Sequence, residues 1–158
     1  MSGFQIDYNP NGDQLKIDMH GNIDEDVIFD KYPLVGFKKI DINLANIKSI
    51  NSCGIREWIR WFSKTQNTEI NLIDCPRVMI EQFNMIDSVR PKDSKIISFF
   101  VPYYNEDLNL EKKVLYEFGK NFDENNVKIE ETIKDESGNI FELDVVQTRY
   151  FQFLKYKK

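Results

Sequence analysis

The stretch Ile50-Asn51-Ser52-Cys53-Gly54-Ile55 gathers the residue types best able to do chemistry. It follows a strand-like run and precedes a helical one. A helix start presents unpaired backbone N–H groups and partial positive charge. A phosphate or carboxylate placed there is stabilised. Asn51 or Ser52 can cap the helix, which is worth about 0.5–2 kcal/mol. Gly54 lets the chain turn tightly. The Ser52 hydroxyl has a second use, because at this position it is open to a kinase. Cys53 has two readings as well: a thiol activated by the helix start, or a small core residue facing the sheet.

The helix that follows repeats apolar residues at Ile55, Trp58, Ile59 and Phe62, one stripe at i, i+3, i+4 and i+7. Trp61 falls at the edge of the stripe beside Arg56, Glu57 and Arg60. Trp and Arg together are typical of energetic centres in protein interfaces. The expected contact surface is therefore Asn51, Cys53, Gly54, Arg56, Glu57, Arg60 and Trp61. His20 is the only histidine, so a general base or a nucleophile–histidine pair would have to use it. Beside Gly21 it reads as a turn residue. The carboxylates Asp123, Glu124, Glu130, Glu131, Asp135 and Glu136 lack the spacing of a calcium loop and read as a solvated edge. No phosphate-loop, dinucleotide or zinc-protease motif occurs. The expectation is a protein without catalysis, metal or cofactor.

Several elements must position these residues. Phe4, Ile6 and Tyr8 alternate with polar residues, as do Leu15, Ile17 and Met19, across a turn at 9–13. That is a hairpin, with Gly21 expected to end it. Residues 24–37 could form a short helix limited by Pro33. Residues 39–44 alternate as a strand, and 45–54 read as a polar turn before a helix from Ile55. A strand at 70–73 and a helix from Pro76 follow, with Met79, Phe83 and Ile86 on one face and Pro91 as its bound. The order β-β-α-β-α-β-α argues for an α/β fold. Beyond residue 95, strand patterns at 96–101, 113–118, 127–133 and 141–145 surround a turn at 135–139. The end is aromatic: Tyr150, Phe151, Phe153 and Tyr156. Two parts are expected, 1–95 and a β-rich 96–158, with no flexible linker between them.

Composition bounds the partners. The 158 residues carry 21 Lys and Arg against 26 Asp and Glu, a net −5, which disfavours nucleic acid and anionic membranes. Arg149, Lys155, Lys157 and Lys158 form the one basic stretch and read as a solvated end. No run approaches the roughly 20 apolar residues of a membrane span, and the first residues do not read as a secretion signal. With two cysteines and no disulfide framework, the expected location is the cytoplasm.

The segment Ile50–Ile55 resembles the signature of STAS domains (sulfate transporter and anti-sigma-factor antagonist domains). In that family a strand ends in an aspartate, two small hydroxyl residues, a glycine and an apolar residue, and a helix follows. Leu15 to Asp24 is similar to the family's second strand and its "G-x-hydrophobic-D" turn, and Ile70 to Pro76 to a later strand. The likeness covers roughly residues 4–95. It implies a STAS-like mixed sheet with helices and a regulatory role. It places Ser52 on the serine that anti-sigma-factor antagonists carry phosphorylated. Asn51 stands where that family has aspartate, and Cys53 stands on the second hydroxyl position.

Residues 96–158 more weakly resemble a small zinc ribbon. The positions of its ligands would be Asn105, Leu108, Lys134 and Ser137, none of which is a donor for structural zinc. A ribbon-like subdomain here would be metal-free, with aromatic rings in place of the metal. The expectation is thus a regulatory module for a kinase-like or sigma-factor-regulating protein, switched at Ser52. The alternative is an assembly protein that forms homo-oligomers through its aromatic C-terminal part.

Overall fold

A computed structural model describes residues 3–155. Tyr156, Lys157 and Lys158 lie outside them. Among the described residues nine strands form two sheets, and the protein is α/β.

The hairpin is β1 (Gln5–Asn11) and β2 (Gln14–Ile23), antiparallel with Ile6 opposite Met19 and Tyr8 opposite Ile17. The turn is only Gly12 and Asp13, with Gly12 at φ +63°. Pro10 is tolerated in β1 because an edge strand leaves one side unpaired. Gly21 does not end β2. The strand runs on to Ile23, with irregular register around residues 18–22. The helix considered at 24–37 is a single 3₁₀ turn, Phe29–Lys31. Pro33 and the buried anchors Phe29 and Leu34 hold this segment in an irregular path.

Strand β3 (Lys39–Ile50) is longer than its sequence pattern, absorbing most of the expected turn at 45–54. It pairs in parallel with β2 along its length and with β4 (Glu69–Ile73) along its first half. Helix α1 (Ser52–Phe62) starts three residues before the expected Ile55. Helix α2 (Arg77–Met85) takes Pro76 as its N-cap and leads to the short β5 (Lys95–Ile96). The first sheet has order β1-β2-β3-β4-β5. Its parallel connections all step the same way, so right-handed crossovers put them on one face. Leu15, Ile17, Met19, Ile40, Ile42, Leu44, Ile70 and Leu72 are buried, while Lys16 and Asp18 are exposed.

The expected strand at 96–101 is divided. Ile96 closes the first sheet, and Ser98 opens β6 (Ser98–Asn105) in the second. The second sheet has order β7-β6-β9-β8, with β7 (Leu110–Glu117), β8 (Thr132–Lys134) and β9 (Ile140–Leu143). Of the strand expected at 127–133, only its end pairs in β8. Val127 makes one bridge, to Phe122. The aromatic end is not extended: α3 (Gln147–Tyr150) and a 3₁₀ turn fold it back. The sheets are joined by a Cys75–Phe99 bridge, with Cys75 N–H donating to Ser98 C=O at 3.0 Å and Phe100 N–H to Cys75 C=O at 2.9 Å. One buried cluster runs through both.

The aromatics of the second part face inward. Phe99, Tyr103, Tyr116, Phe122, Phe141, Tyr150, Phe151 and Phe153 are buried. They fill the core, while Phe100, Tyr104 and Phe118 are half-buried. At the ribbon positions, the Asn105 carbonyl accepts the Leu108 N–H at 2.7 Å and its amide donates to Ile140 C=O at 2.9 Å. One side chain so ties the β6–β7 turn to the β8–β9 hairpin. Trp61 is likewise buried, 3% exposed. It stacks on Phe29 with centroids 4.3 Å apart, and its indole N–H donates to Tyr32 C=O at 2.8 Å. Trp61→Ala is therefore expected to cost about 3–5 kcal/mol, measured by denaturant unfolding.

Candidate functional site

The site is built where β3 ends and α1 begins. Asn51 has extended backbone, φ −101° and ψ 179°, and caps the helix. Its side-chain oxygen accepts the Gly54 N–H at 2.8 Å, and its amide donates to the Glu25 carboxylate at 2.8 Å. Its backbone N–H donates to Ile23 C=O at 3.1 Å. The amide accepts and donates at once here, which an ionised aspartate, having no N–H, does not. Glu25 is exposed, and its carboxyl is held below the usual carboxylate range. The larger cause is a bond from its own backbone N–H, and the second is the Asn51 amide.

Gly54 is buried against the end of β2. A Cβ at this position would lie 2.1 Å from the Ile23 carbonyl oxygen. The glycine thus serves close approach of helix to strand rather than the tight turn expected from sequence. Ser52, the first helical residue, is exposed. Cys53 is half-buried and free, with an Arg56 guanidinium nitrogen 3.8 Å from its sulfur. Cys75 is also free but wholly buried, and burial pushes its thiol far up, which leaves it an inert packing group.

Along the outer side of α1, Arg56 and Arg60 are exposed and Glu57 is half-buried. Arg60 pairs with Glu57 at 2.9 Å and with Asp30 at 3.3 Å, and Lys64 reaches Asp30 at 3.3 Å. These exposed pairs pin the 3₁₀ turn to the helix and are worth little individually. The expected Trp/Arg surface is thereby corrected: the arginines face out, while Trp61 and Gly54 face in. Asn51, Ser52, Cys53, Arg56, Glu57 and Arg60 remain on one accessible strip.

His20 is not in a turn. It lies on β2 opposite Gln5, with its Nε2 atom 3.7 Å from the Asp7 carboxylate. It borders an open cleft of about 720 Å³ that Lys48, Arg77 and Lys113 also line. Asp123 and Asp135 are held below the usual carboxylate range by turn hydrogen bonds, Asp123 by Asn125 and Asn126, and Asp135 chiefly by Asn139. They are turn formers. Among the described residues no group of three or more His, Cys, Asp or Glu is placed to hold a metal, and no helix is long and apolar enough to cross a membrane.

Sequence reasoning missed Glu25, Ile23 and Asp30. The "G-x-hydrophobic-D" turn at Gly21–Asp24 was the nearest signal. No local pattern pairs residues 26 apart. Comparison with protein-family models and with curated proteins gave no match.

Two outcomes follow at this junction. Asn51→Asp keeps the cap but sets two carboxylates together, so the Glu25 titration, followed by NMR, should move up. In the wild type Glu25 has a depressed folded-state pKa. Its stabilising contribution is present above the unfolded value and is lost as pH falls through the folded one, and Asn51→Asp should reduce it, because the bond from the Glu25 backbone N–H remains. Gly54→Ala must displace the Ile23 carbonyl, with an expected cost of about 3 kcal/mol in thermal or denaturant unfolding.

Proposed function

We propose that the chain is a non-catalytic, STAS-like interaction module that works in the cytoplasm. Its partner is a protein of the kinase-like or sigma-factor-regulating class. The contact strip is Asn51, Ser52, Cys53, Arg56, Glu57 and Arg60, and phosphorylation of Ser52 is the switch. The observation that carries this reading is the exposure of Ser52 at the first position of a helix whose start is locked by Asn51 and Gly54. A helix start held in this way fixes the backbone from which the hydroxyl projects. Neither metal nor cofactor enters the reading.

The switch has an electrostatic basis. A phosphate adds about −1.5 to −2 charges at neutral pH. On Ser52 it would sit beside Asn51 and the Glu25 carboxylate bound to it. The helix start favours the new charge, whereas Glu25 and an acidic partner group oppose it. The partner that fits the unmodified strip therefore leaves when Ser52 is modified.

The experiment combines a phosphorylation assay with a binding assay. Incubation with ATP and a cytosolic kinase fraction should place phosphate on Ser52, read by mass spectrometry, and Ser52→Ala should abolish it. In pull-downs, a protein retained by the wild type should be lost with Ser52→Asp and weakened by Arg56→Glu. Partner binding that is unchanged in Ser52→Asp removes the switch and leaves the module. Binding unchanged in Arg56→Glu as well removes the contact strip.

A further inference from the structure

The opposite end of α1 opens on a second feature that the proposed function does not use. The end of α1, the loop before β4, the loop after α2 and the C-terminal turn enclose a cleft of about 1410 Å³. Its apolar wall includes Ile59, Phe62, Pro91 and Leu154. Its polar wall carries Arg90, Lys92 and Lys155 together with Glu69, Asp87 and Asp93, of which Asp87 is paired with Lys155 at 3.5 Å, and Ser94 lies beside Arg90.

Arg90 is half-buried, and burial lowers its pKa from the ordinary arginine value. Its guanidinium donates to Phe153 C=O at 2.7 Å and to Ser94 C=O at 3.0 Å. Both acceptors are neutral. No carboxylate among the described residues lies within ion-pair distance of it, whereas Arg60 and Arg77 both have one. Two bonds occupy only part of a guanidinium's five N–H donors. A cation taken from water without a counter-charge is costly, and a carboxylate or phosphate placed on it recovers that cost with two parallel bonds. Ser94 supplies a second, independent sign. It is 8% exposed, it lines the same cleft, and its hydroxyl has no hydrogen-bond partner among the described residues. Buried polar groups in folded proteins are almost always partnered. Three of the five non-glycine residues with positive φ (Asn67, Asp93 and Lys155) also line this cleft. Backbone held in such conformations concentrates at ligand sites.

We propose that this cleft binds a small organic acid. Its oxyanion head, carboxylate or phosphate, sits on Arg90 and the Ser94 hydroxyl, and its apolar body lies along Ile59, Phe62 and Leu154. The cleft is open and larger than the roughly 300–1,000 Å³ of small-molecule sites, so such a ligand fills only the part of it around Arg90. The assignment does not depend on Ser52 or on any protein partner. The two sites lie at opposite ends of an 11-residue helix, about 16 Å long at 1.5 Å per residue.

The test is calorimetric titration of the full chain with hexanoate, hexyl phosphate and hexanol. The first two arms distinguish the head groups, and the third removes the charge. Saturable binding of one acid at a single site is expected, with a Kd on the order of 1 mM or tighter, and with no saturation by hexanol. In the wild type, the ligand should shift the Arg90 side-chain N–H resonance. Arg90→Lys keeps the charge but loses the fork, and should weaken binding about tenfold. Arg90 also holds two main-chain segments, so Ser94→Ala gives a variant whose fold is not at stake. Deleting an unpartnered hydroxyl should leave Tm equal or higher while affinity falls several-fold. The proposal is overturned if neither acid binds saturably, if hexanol binds as well as the acids, or if Ser94→Ala retains full affinity.

Discussion

The contact on which the rest of the structure depends is backbone against backbone: the Ile23 carbonyl at the end of β2 pressed on Gly54 in the first turn of α1. Residue 54 can hold no side chain, because a Cβ would meet the carbonyl oxygen at 2.1 Å. The same carbonyl accepts the Asn51 N–H. With the helix start seated on the strand end, Asn51 has one place to cap and one carboxylate, Glu25, to hold. Ser52 then has no choice but to face outward. Further along, the same seating sends Trp58, Trp61 and Phe62 into the core, with the Trp58 indole donating to Val89 C=O at 2.7 Å.

The second half of the chain is attached by the same kind of main-chain closure. Cys75 exchanges backbone hydrogen bonds with the start of β6. Asn84 donates to Tyr150 C=O and Arg90 to Phe153 C=O, so α2 and the loop after it hold the C-terminal turns. Inside the second sheet, Tyr103 donates to Glu130 C=O and shares a hydrogen bond with Tyr116, which in turn accepts the Glu130 N–H. Two phenols and the backbone N–H and C=O of one residue thus satisfy one another in the interior, as buried hydroxyls must. This explains how Tyr103 and Tyr116 are buried in the sheet without an unpaired hydroxyl.

Much of the architecture was legible because it rests on short-range periodicity. The alternation in β1, β2 and β9, the apolar stripe of α1 and the proline start of α2 all place side chains on a face that local geometry dictates. Legibility failed where pairing overrode local pattern. Residues 45–50 are polar enough for a turn, yet β2 pairs alongside them and draws them into β3. Residues 127–131 alternate like a strand but make only scattered backbone bonds, Val127 bridging Phe122 and Lys128 N–H donating to Asn121 C=O, so no ladder forms. Trp61 reads as an edge residue by helical angle alone. What buries it is Phe29, delivered by a segment with no periodicity at all.

The sequence by itself determined the α/β class, the position of α1 and the choice of Ser52 and its neighbours as the residues of interest, since each follows from residue type at fixed local spacing. Only the tertiary structure decided what those residues face. It turned Trp61 inward, gave Asn51 its Glu25 partner and set Gly54 against Ile23. It also left Arg90 half-buried without a carboxylate. The physical reason is that these relations join residues distant in the chain, and burial and charge pairing depend on which surfaces meet, which no window of neighbouring residues contains.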